Sequence, residues 1–426
     1  MCVIFRYNYF QIVGTYVIRQ VFGYICFLII AFLIKERNDS DFKSELRLLF
    51  RGIIFHIVLA FALTKSSPCI SAIEWIASGV MKLKDATIEG TKLVFGYIGG
   101  GDLPFSTKPN ASAFVFAFQA LPTVIIVSAL SAILTYLRIL PILSKVIGSI
   151  FKLVFNIDSS IGIVAAAKIF IGQIEAPLLI KDKLNGLTRE NIFVILTLAF
   201  ATSSVAVTPI YAGLLDGICQ DPMRHLLASS VMSVVSSLIV SNVIFYRTKI
   251  ATNDKHSELP YSSFMNAISK GISDGAFVWW CIVGSLIGMV ALVALLNYML
   301  GILPNINEEP ITLQKLLGYI TYPFVWLLGI EPGEILTVSG IVGTKIAINE
   351  TVAFLELAKA NLSSESIVKT IYAINNFGNF ACIGITIAGL SALAPNQKSI
   401  QELAGKAFIA AFLATGLTAT LISFFL

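Results

Sequence analysis

Residues 172–177 read GQIEAP and residues 349–354 read NETVAF, and each stretch places one glutamate, Glu175 or Glu350, inside apolar sequence. A charged side chain at membrane depth is energetically costly, and such residues usually face a cavity and serve a function. We therefore interpret the two glutamates as the two halves of one solute site.

The sequence around these stretches is too apolar for a soluble protein. Of the 426 residues, 56% are hydrophobic and only 13% are charged. Apolar runs of about 20 residues, each long enough to cross a hydrocarbon core of roughly 30 Å as a helix, recur along the chain. They lack the alternating pattern of a membrane β-barrel. The predicted fold class is an all-α polytopic membrane protein without a separate soluble domain.

The charged residues and cysteines exclude several other classes of protein. The formal net charge is +5, but the basic residues lie in loops between apolar spans, as the positive-inside rule requires, so nucleic acid is not an expected partner.

The basic linker 35–43 is predicted to be cytoplasmic, which places the N-terminus outside. The run 22–34 lacks a small-residue cleavage site and is predicted to be a retained first span. The six cysteines are scattered without a CxxC pattern, so we expect neither a disulfide framework nor a metal site, and no cofactor.

The hydropathy pattern predicts two ordinary kinds of helix. Uninterrupted spans are predicted at 12–34, 49–64, 112–137, 226–246, 275–299 and 404–425. Amphipathic helices at the membrane interface are predicted within 65–110 and at 140–155 and 311–329, where charged or aromatic residues recur at helical spacing.

Two further regions are apolar but interrupted. The stretch 159–181 has glycine and proline at its centre, which favours a re-entrant hairpin over a continuous helix facing lipid. The span 191–215 follows it, and its polar, proline-containing centre at 202–209 predicts a broken helix. The same order returns with a hairpin at 333–358 and a broken helix at 367–394.

The two interrupted regions are spaced as an internal repeat. Glu350 lies 175 residues after Glu175, and the same offset carries Ser204 onto Asn379. Paired interrupted segments in the two halves of a chain are typical of a transporter's binding site. The first predicted repeat is 159–246, with hairpin 159–182, broken helix 191–215 and span 226–246. The second is 331–426, with hairpin 333–358, broken helix 367–394 and final span 404–425. The other predicted parts are N-terminal spans and interfacial helices (1–110), a scaffold span and cytoplasmic interfacial helix (111–158), and a loop, span and interfacial helix (247–330).

Four motifs in the right order resemble those of the concentrative nucleoside transporter family. GQIEAP is similar to the family's GQTEAP, NETVAF to its NEFVAY, FGNFACIG at 377–384 to its FANFSSIG, and FAT at 200–202 to its FAT. The resemblance extends from about residue 90 to the end and fits a bacterial, proton-coupled branch of the family. It implies eight transmembrane helices, two re-entrant hairpins in inverted repeats, a homotrimer in the bacterial inner membrane, and nucleoside uptake driven by a cation gradient.

The resemblance also implies roles for individual residues. The substrate-binding set is Gln173 and Glu175 at the nucleobase, Val207 as an apolar wall, Glu350 and Asn379 at the ribose hydroxyls, and Phe377 beside them. Ile174 and Cys382 stand where the family often has Thr and Ser, which removes two polar contacts and leaves the choice between purine and pyrimidine open.

A third departure concerns the coupling cation. Sodium-coupled members of the family have an asparagine four residues before GQ, but here that position is Lys168. An ammonium group only donates hydrogen bonds, so it cannot ligate sodium and would repel the ion. We hypothesise that Lys168 replaces sodium beside Ile171, Thr202 and Ser203, donating to carbonyls near Ile171 and to Thr202. Transport would then be driven by protons, with Glu350 or Glu175 as the proton carrier.

Other interpretations stay open at this point. Lys168 could extend to the interface with sodium bound elsewhere, Asn379 could tie two helices together, and Phe377 could serve packing alone. The chain could also be a sodium-coupled nucleoside carrier, a carrier for another polar metabolite, or an intramembrane enzyme using Glu175 and Glu350 as acid and base.

Overall fold

The computed structural model describes residues 2–36, 42–106, 113–173, 175–205, 207–245, 261–304, 310–394 and 398–425. These residues form α-helices and one 3-10 helix, Gly96–Gly99, with no β-strand among them, which confirms the predicted all-α class. The helices are α1 (Cys2–Leu33), α2 (Phe42–Lys65), α3 (Ser67–Phe95), α4 (Phe116–Gln119), α5 (Thr123–Tyr136), α6 (Ile139–Phe155), α7 (Ser159–Ala167), α8 (Glu175–Leu178), α9 (Lys181–Leu184), α10 (Arg189–Ala201), α11 (Thr208–Leu214), α12 (Pro222–Ile244), α13 (Phe264–Leu300), α14 (Leu313–Leu327), α15 (Ile335–Ala347), α16 (Glu350–Leu357), α17 (Ser364–Ile374), α18 (Phe380–Leu393) and α19 (Ser399–Ile422).

Several of these helices are long and apolar enough to cross a membrane. In the described part of the chain there are five, namely Phe42–Lys65, Phe116–Tyr136, Pro222–Ile244, Phe264–Leu300 and Ser399–Ile422. The two interrupted regions are divided into shorter helices, so length alone does not assign them as spans. The total of eight spans and two re-entrant hairpins stays a prediction.

The region 65–110 differs from the prediction of several interfacial helices. Its described residues form one long helix, α3, which ends in the short 3-10 helix. The charged residues Glu74, Lys82 and Glu89 lie exposed on α3, whereas Val80 and Thr91 are buried. The charges therefore mark one face of a continuous helix and do not interrupt it.

Both predicted broken helices are interrupted at their polar centres. In the first, α10 ends at Ala201 and α11 begins at Thr208, with Pro209 in its first turn, where the missing amide hydrogen removes no helical hydrogen bond. In the second, α17 ends at Ile374 and α18 begins at Phe380. The two breaks lie close together, because a Cβ at Gly378 would be 3.5 Å from the Phe200 carbonyl oxygen.

Two motif asparagines set where helices begin. Asn349 precedes α16 and accepts a hydrogen bond on its side-chain oxygen from the Val352 amide at 3.0 Å. Asn379 precedes α18 and accepts one from the Cys382 amide at 2.8 Å. Such an N-cap stabilises a helix by about 1 kcal/mol and fixes its first residue. The position of Glu350, the first residue of α16, follows from the cap.

Each predicted hairpin begins with a helix that packs closely on the helix preceding it. Between α6 and α7, a Cβ at Gly162 would lie 2.6 Å from the Gly148 carbonyl oxygen. Between α14 and α15, a Cβ at Gly343 would lie 2.8 Å from the Gly318 amide nitrogen. Only glycine permits these backbone approaches. The first arm of each hairpin is therefore held directly against a neighbouring helix backbone.

The centre of the molecule is formed by α12 and α19. Their buried serines and threonines include Ser236 and Thr418, whose hydroxyl oxygens lie 2.8 Å apart across the two helices. Small polar residues of this kind let membrane helices pack closely and join them by hydrogen bonds. Among the five candidate spans, α13 is the least buried, and many of its apolar side chains are exposed.

Candidate functional site

Glu350 lies where three elements of the fold meet. It is the first residue of α16 and is buried. Its Oε1 accepts a hydrogen bond from the Tyr211 hydroxyl at 3.0 Å, and its Oε2 accepts one from Asn379 Nδ2 at 3.0 Å. The second hairpin, the second half of the first broken helix and the break of the second broken helix therefore converge on one carboxylate.

Asn379 uses both ends of its side chain. Its oxygen caps α18, and its amide nitrogen donates to Glu350. These two bonds fix the orientation of the carboxamide, because the nitrogen can only donate. The structure thus brings together Glu350 and Asn379, the two residues predicted to bind ribose.

Tyr211 was missed by the sequence interpretation. It is fully buried in α11, its ring stacks on Phe354 with centroids 4.4 Å apart and planes at 19°, and its hydroxyl lies 3.4 Å from Thr351 Oγ1. A tyrosine two residues after Pro209, at the end of the polar centre of a broken helix, is the signal that could have indicated it. It supplies a donor from the first repeat to the carboxylate of the second.

The side chains at the tip of the first hairpin are less buried than Glu350 and Asn379. Gln173 is partly buried, lies next to the Cys382 thiol, and leaves its Oε1 without a hydrogen-bond partner. Glu175 is exposed, and its carboxylate lies against Gly172, where a Cβ would be 2.0 Å from Oε2. The two glutamates are therefore not equivalent, in contrast to the symmetry of their motifs. Val207 is buried just before α11, and Ile174 lies outside the described residues.

Lys168 is buried with no hydrogen-bond partner for its ammonium group in the described structure. Its Nζ lies 5.4 Å from the centroid of the Phe377 ring, a cation–π contact, and Glu175 is a charged neighbour. The predicted donation to Thr202 and to carbonyls near Ile171 is wrong. The Thr202 hydroxyl instead donates to the Leu198 carbonyl at 2.7 Å within its own helix, while the lysine extends towards Phe377. The hydroxyl of the neighbouring Ser203 is also buried and without a partner.

A second buried lysine, Lys345, was also missed. It lies near the end of α15 and donates to Asn376 Oδ1 and to the Gly378 carbonyl, both in the break of the second broken helix. The Glu350 carboxylate is a charged neighbour of this lysine. Each hairpin thus carries a lysine a few residues before its glutamate, but only Lys345 is hydrogen-bonded.

The arrangement suits recognition of a polar solute. The Glu350 carboxylate accepts from Tyr211, from Asn379 and from its own backbone amide, which leaves acceptor capacity for a substrate hydroxyl, and the Gln173 oxygen can accept as well. No group of three or more His, Cys, Asp or Glu side chains that could hold a metal ion occurs in the part of the chain that the structure describes. The site is equipped for binding by hydrogen bonds and charge.

Family models cover most of the chain. Residues 22–98 match the model of the Na+ dependent nucleoside transporter N-terminus, residues 117–217 match a nucleoside recognition domain, and residues 225–423 match the Na+ dependent nucleoside transporter C-terminus.

Relatives and a solved structure agree with these models. The chain is 30% identical over 421 residues to an uncharacterised transporter, YutK of Bacillus subtilis, covering 96% of this chain and 100% of the relative. It is 28% identical to the putative nucleoside permease NupX of Escherichia coli, covering 96% and 99%, and 28% identical to the nucleoside permease NupC of Helicobacter pylori, covering 90% and 94%. The structure of CNTnw in an inward-facing substrate-bound state shares the fold, with a TM-score of 0.85 over 96% of this chain and 98% of that one at 24% identity.

Proposed function

This chain belongs to the concentrative nucleoside transporter family, and on that premise we propose that it imports nucleosides by cation symport with the proton as the coupling cation. The family consists of transporters, so the alternative of an intramembrane enzyme is set aside. The proposed location is a bacterial inner membrane, which the bacterial relatives support.

The observation that carries the substrate proposal is the buried Glu350 carboxylate with its two fixed donors. Tyr211 and Asn379 hold it in place from two other elements, so its remaining lone pairs point in fixed directions. Ribose presents neighbouring hydroxyl donors, which a carboxylate accepts well. We assign Glu350 and Asn379 to the ribose.

The first hairpin supplies the proposed nucleobase contacts. The unpartnered Gln173 oxygen and the exposed Glu175 carboxylate face the base, with Val207 as an apolar wall. Cys382 lies next to Gln173 and Phe377 lies against Lys168, so both border this half of the site. Ile174 completes the assignment by its place in the GQIEAP motif.

Lys168 supports the choice of the proton over sodium. Its ammonium group is buried beside Phe377 in the first half of the site. A fixed positive charge there repels a metal cation, and this repulsion is strong in a medium of low dielectric constant. One of the two carboxylates, Glu350 or Glu175, carries the proton in this proposal.

The assembly is proposed to be a homotrimer with one site in each protomer. Large apolar side chains of α13, among them Phe277, Trp280 and Ile287, are exposed on the single chain. Lipid and neighbouring copies can cover such a face. Mass measurement of the purified protein in detergent tests this stoichiometry.

Uptake by reconstituted vesicles tests the function. Labelled uridine and adenosine are supplied outside, and sodium and proton gradients are imposed independently. We expect chemically unchanged nucleoside to accumulate when the outside is acidic, with no requirement for sodium. Uptake that needs sodium and survives collapse of the pH gradient would refute proton coupling. Absence of uptake of both uridine and adenosine under either gradient would refute the proposed nucleoside import.

A further inference from the structure

Lys345 holds the break of the second broken helix at two points. The lysine is 1% exposed, and its ammonium group donates to Asn376 Oδ1 and to the Gly378 carbonyl. A Cβ at Gly378 would lie 3.1 Å from the lysine Nζ, so the ammonium reaches the backbone itself. Charge-assisted hydrogen bonds are roughly twice as strong as neutral ones.

The acceptors of Lys345 belong to a small hydrogen-bonded loop. Asn376 Oδ1 also accepts from the Gly378 amide at 3.1 Å, and Asn376 Nδ2 donates to the Ala373 carbonyl at 2.9 Å. The oxygen atoms that face the lysine are thus set by the loop. In transporters, carbonyl oxygens of an unwound helix are typical ligands of a coupling cation. Here an ammonium group from the protein occupies that position.

The second hairpin also holds Asn379, the residue after Gly378, through the negatively charged carboxylate of Glu350. Asn379 directly follows Gly378 and donates to Glu350, which lies five residues after Lys345. A cation on the first arm and an anion on the second arm therefore fix consecutive parts of one irregular segment. Displacement of Gly378 moves Asn379, and with it the donor of the carboxylate.

The buried lysines that precede the two motif glutamates, Lys168 and Lys345, differ in their hydrogen bonds. Lys168 has no hydrogen-bond partner in the described structure, whereas both acceptors of Lys345 are in place. At the second break, the Asn376 and Gly378 oxygens that Lys345 reaches are therefore already bound by a cation of the protein itself.

We infer that Lys345 is a positioning residue of the nucleoside site, a built-in cation that fixes the second break and so aligns Asn379 and Glu350 for the ribose hydroxyls. This inference rests on the proposed function for its substrate. It adds a residue to the site that neither the motifs nor the family resemblance indicated.

A matched pair of substitutions tests the inference. Lys369 is also buried, and its Nζ donates to the Gly329 carbonyl at 2.8 Å, but it lies in the middle of α17 and pairs with Glu365, away from the break. Lys345→Gln and Lys369→Gln remove the same charge from comparable surroundings. Binding of uridine and 2′,3′-dideoxyuridine to the purified full-length protein is measured by calorimetry.

For Lys345→Gln we expect the Kd for uridine to rise about tenfold, because charge-assisted bonds that hold the site are lost. Its preference for uridine over the dideoxy analogue should shrink by a similar factor. Lys369→Gln should change the Kd for uridine and the preference for uridine by less than about twofold, which we count as no effect. A Lys345→Gln protein with the wild-type Kd and preference overturns the inference, as does an equal change in both variants.

Two further results separate failure of this inference from other failures. If the wild-type protein binds no nucleoside, the proposed function fails and the inference falls with it; if it binds and Lys345→Gln is unchanged, only the inference fails. If Lys345→Gln does not yield folded protein, a second variant is used. Lys345→Ala is purified with methylammonium, and its binding of uridine is measured with and without this small cation. Uridine binding that appears only with methylammonium supports a built-in cation, and no binding with it overturns the inference.

Discussion

Glu350→Gln should weaken nucleoside binding and also abolish the recognition of ribose hydroxyls. The substitution keeps the size of the side chain and replaces a carboxylate by a carboxamide. Asn379 Nδ2 can only donate, so the new amide has to turn its oxygen towards Asn379 and its nitrogen towards Tyr211, whose hydroxyl can accept. The charge and the acceptor on the Tyr211 side are both lost.

The size of the effect follows from the bonds that the substrate loses. A hydrogen bond to a charged group contributes about 1.5–3 kcal/mol, which corresponds to a factor of about 10–150 in Kd. We expect the Kd for uridine to rise within this range. Removal of a hydroxyl that Glu350 binds should cost the wild-type protein a similar factor and the variant almost nothing.

The assay is binding of uridine, 2′-deoxyuridine and 3′-deoxyuridine to purified wild-type and variant proteins. Glu356→Gln is the matched control, because Glu356 lies on the same helix, is partly buried, and lines a separate cavity with Asn297 and Thr344. The control should bind all three nucleosides as the wild type does. A Glu350→Gln protein that still prefers uridine over both deoxy analogues by the wild-type factors would refute the assignment of Glu350 to the ribose.

Three further substitutions test neighbouring contacts. Tyr211→Phe keeps the ring stacked on Phe354 but removes the donor to Glu350, so uridine Kd should rise about tenfold with little change in the thermal midpoint; a wild-type Kd contradicts this. Asn379→Ser keeps an N-cap but cannot reach Glu350, so it should bind uridine weakly yet unfold at a higher temperature than Asn379→Ala, by an amount equivalent to about 1 kcal/mol; equal midpoints contradict the cap. Lys168→Asn should make vesicle uptake depend on a sodium gradient, and uptake still driven only by protons counts against the role of Lys168.

The local features of the fold could be predicted from the sequence because they depend on neighbouring residues. Helices end before 202–207, which begins with Thr and Ser, and before 375–379, which contains three Asn residues and Gly378, and these residues favour irregular backbone. The caps by Asn349 and Asn379 likewise follow from residues three positions apart. Local chemistry decides such features wherever the chain lies in the fold.

The contacts across the site could not be predicted in the same way. Tyr211 meets Glu350 across 139 positions of sequence, and Lys345 meets Gly378 across 33. The first pairing depends on how the two repeats cross, and the second depends on how the second hairpin meets the break of the second broken helix. No local sequence pattern records either arrangement. The predicted contacts of Lys168 were wrong in the same way, since its Nζ lies over Phe377 of the other repeat and has no hydrogen bond to Thr202.

The close glycine contacts between each hairpin and its preceding helix have a consequence for tolerance to mutation. A single methyl group at Gly162 or Gly343 has to push two helix backbones apart, because it would start at 2.6 or 2.8 Å from the atoms opposite. Such a shift travels along a stiff hairpin arm towards Gln173 in one half and Glu350 in the other. The accuracy with which the chain binds a small solute is thus set in part by residues without side chains, which make no contact with the solute themselves.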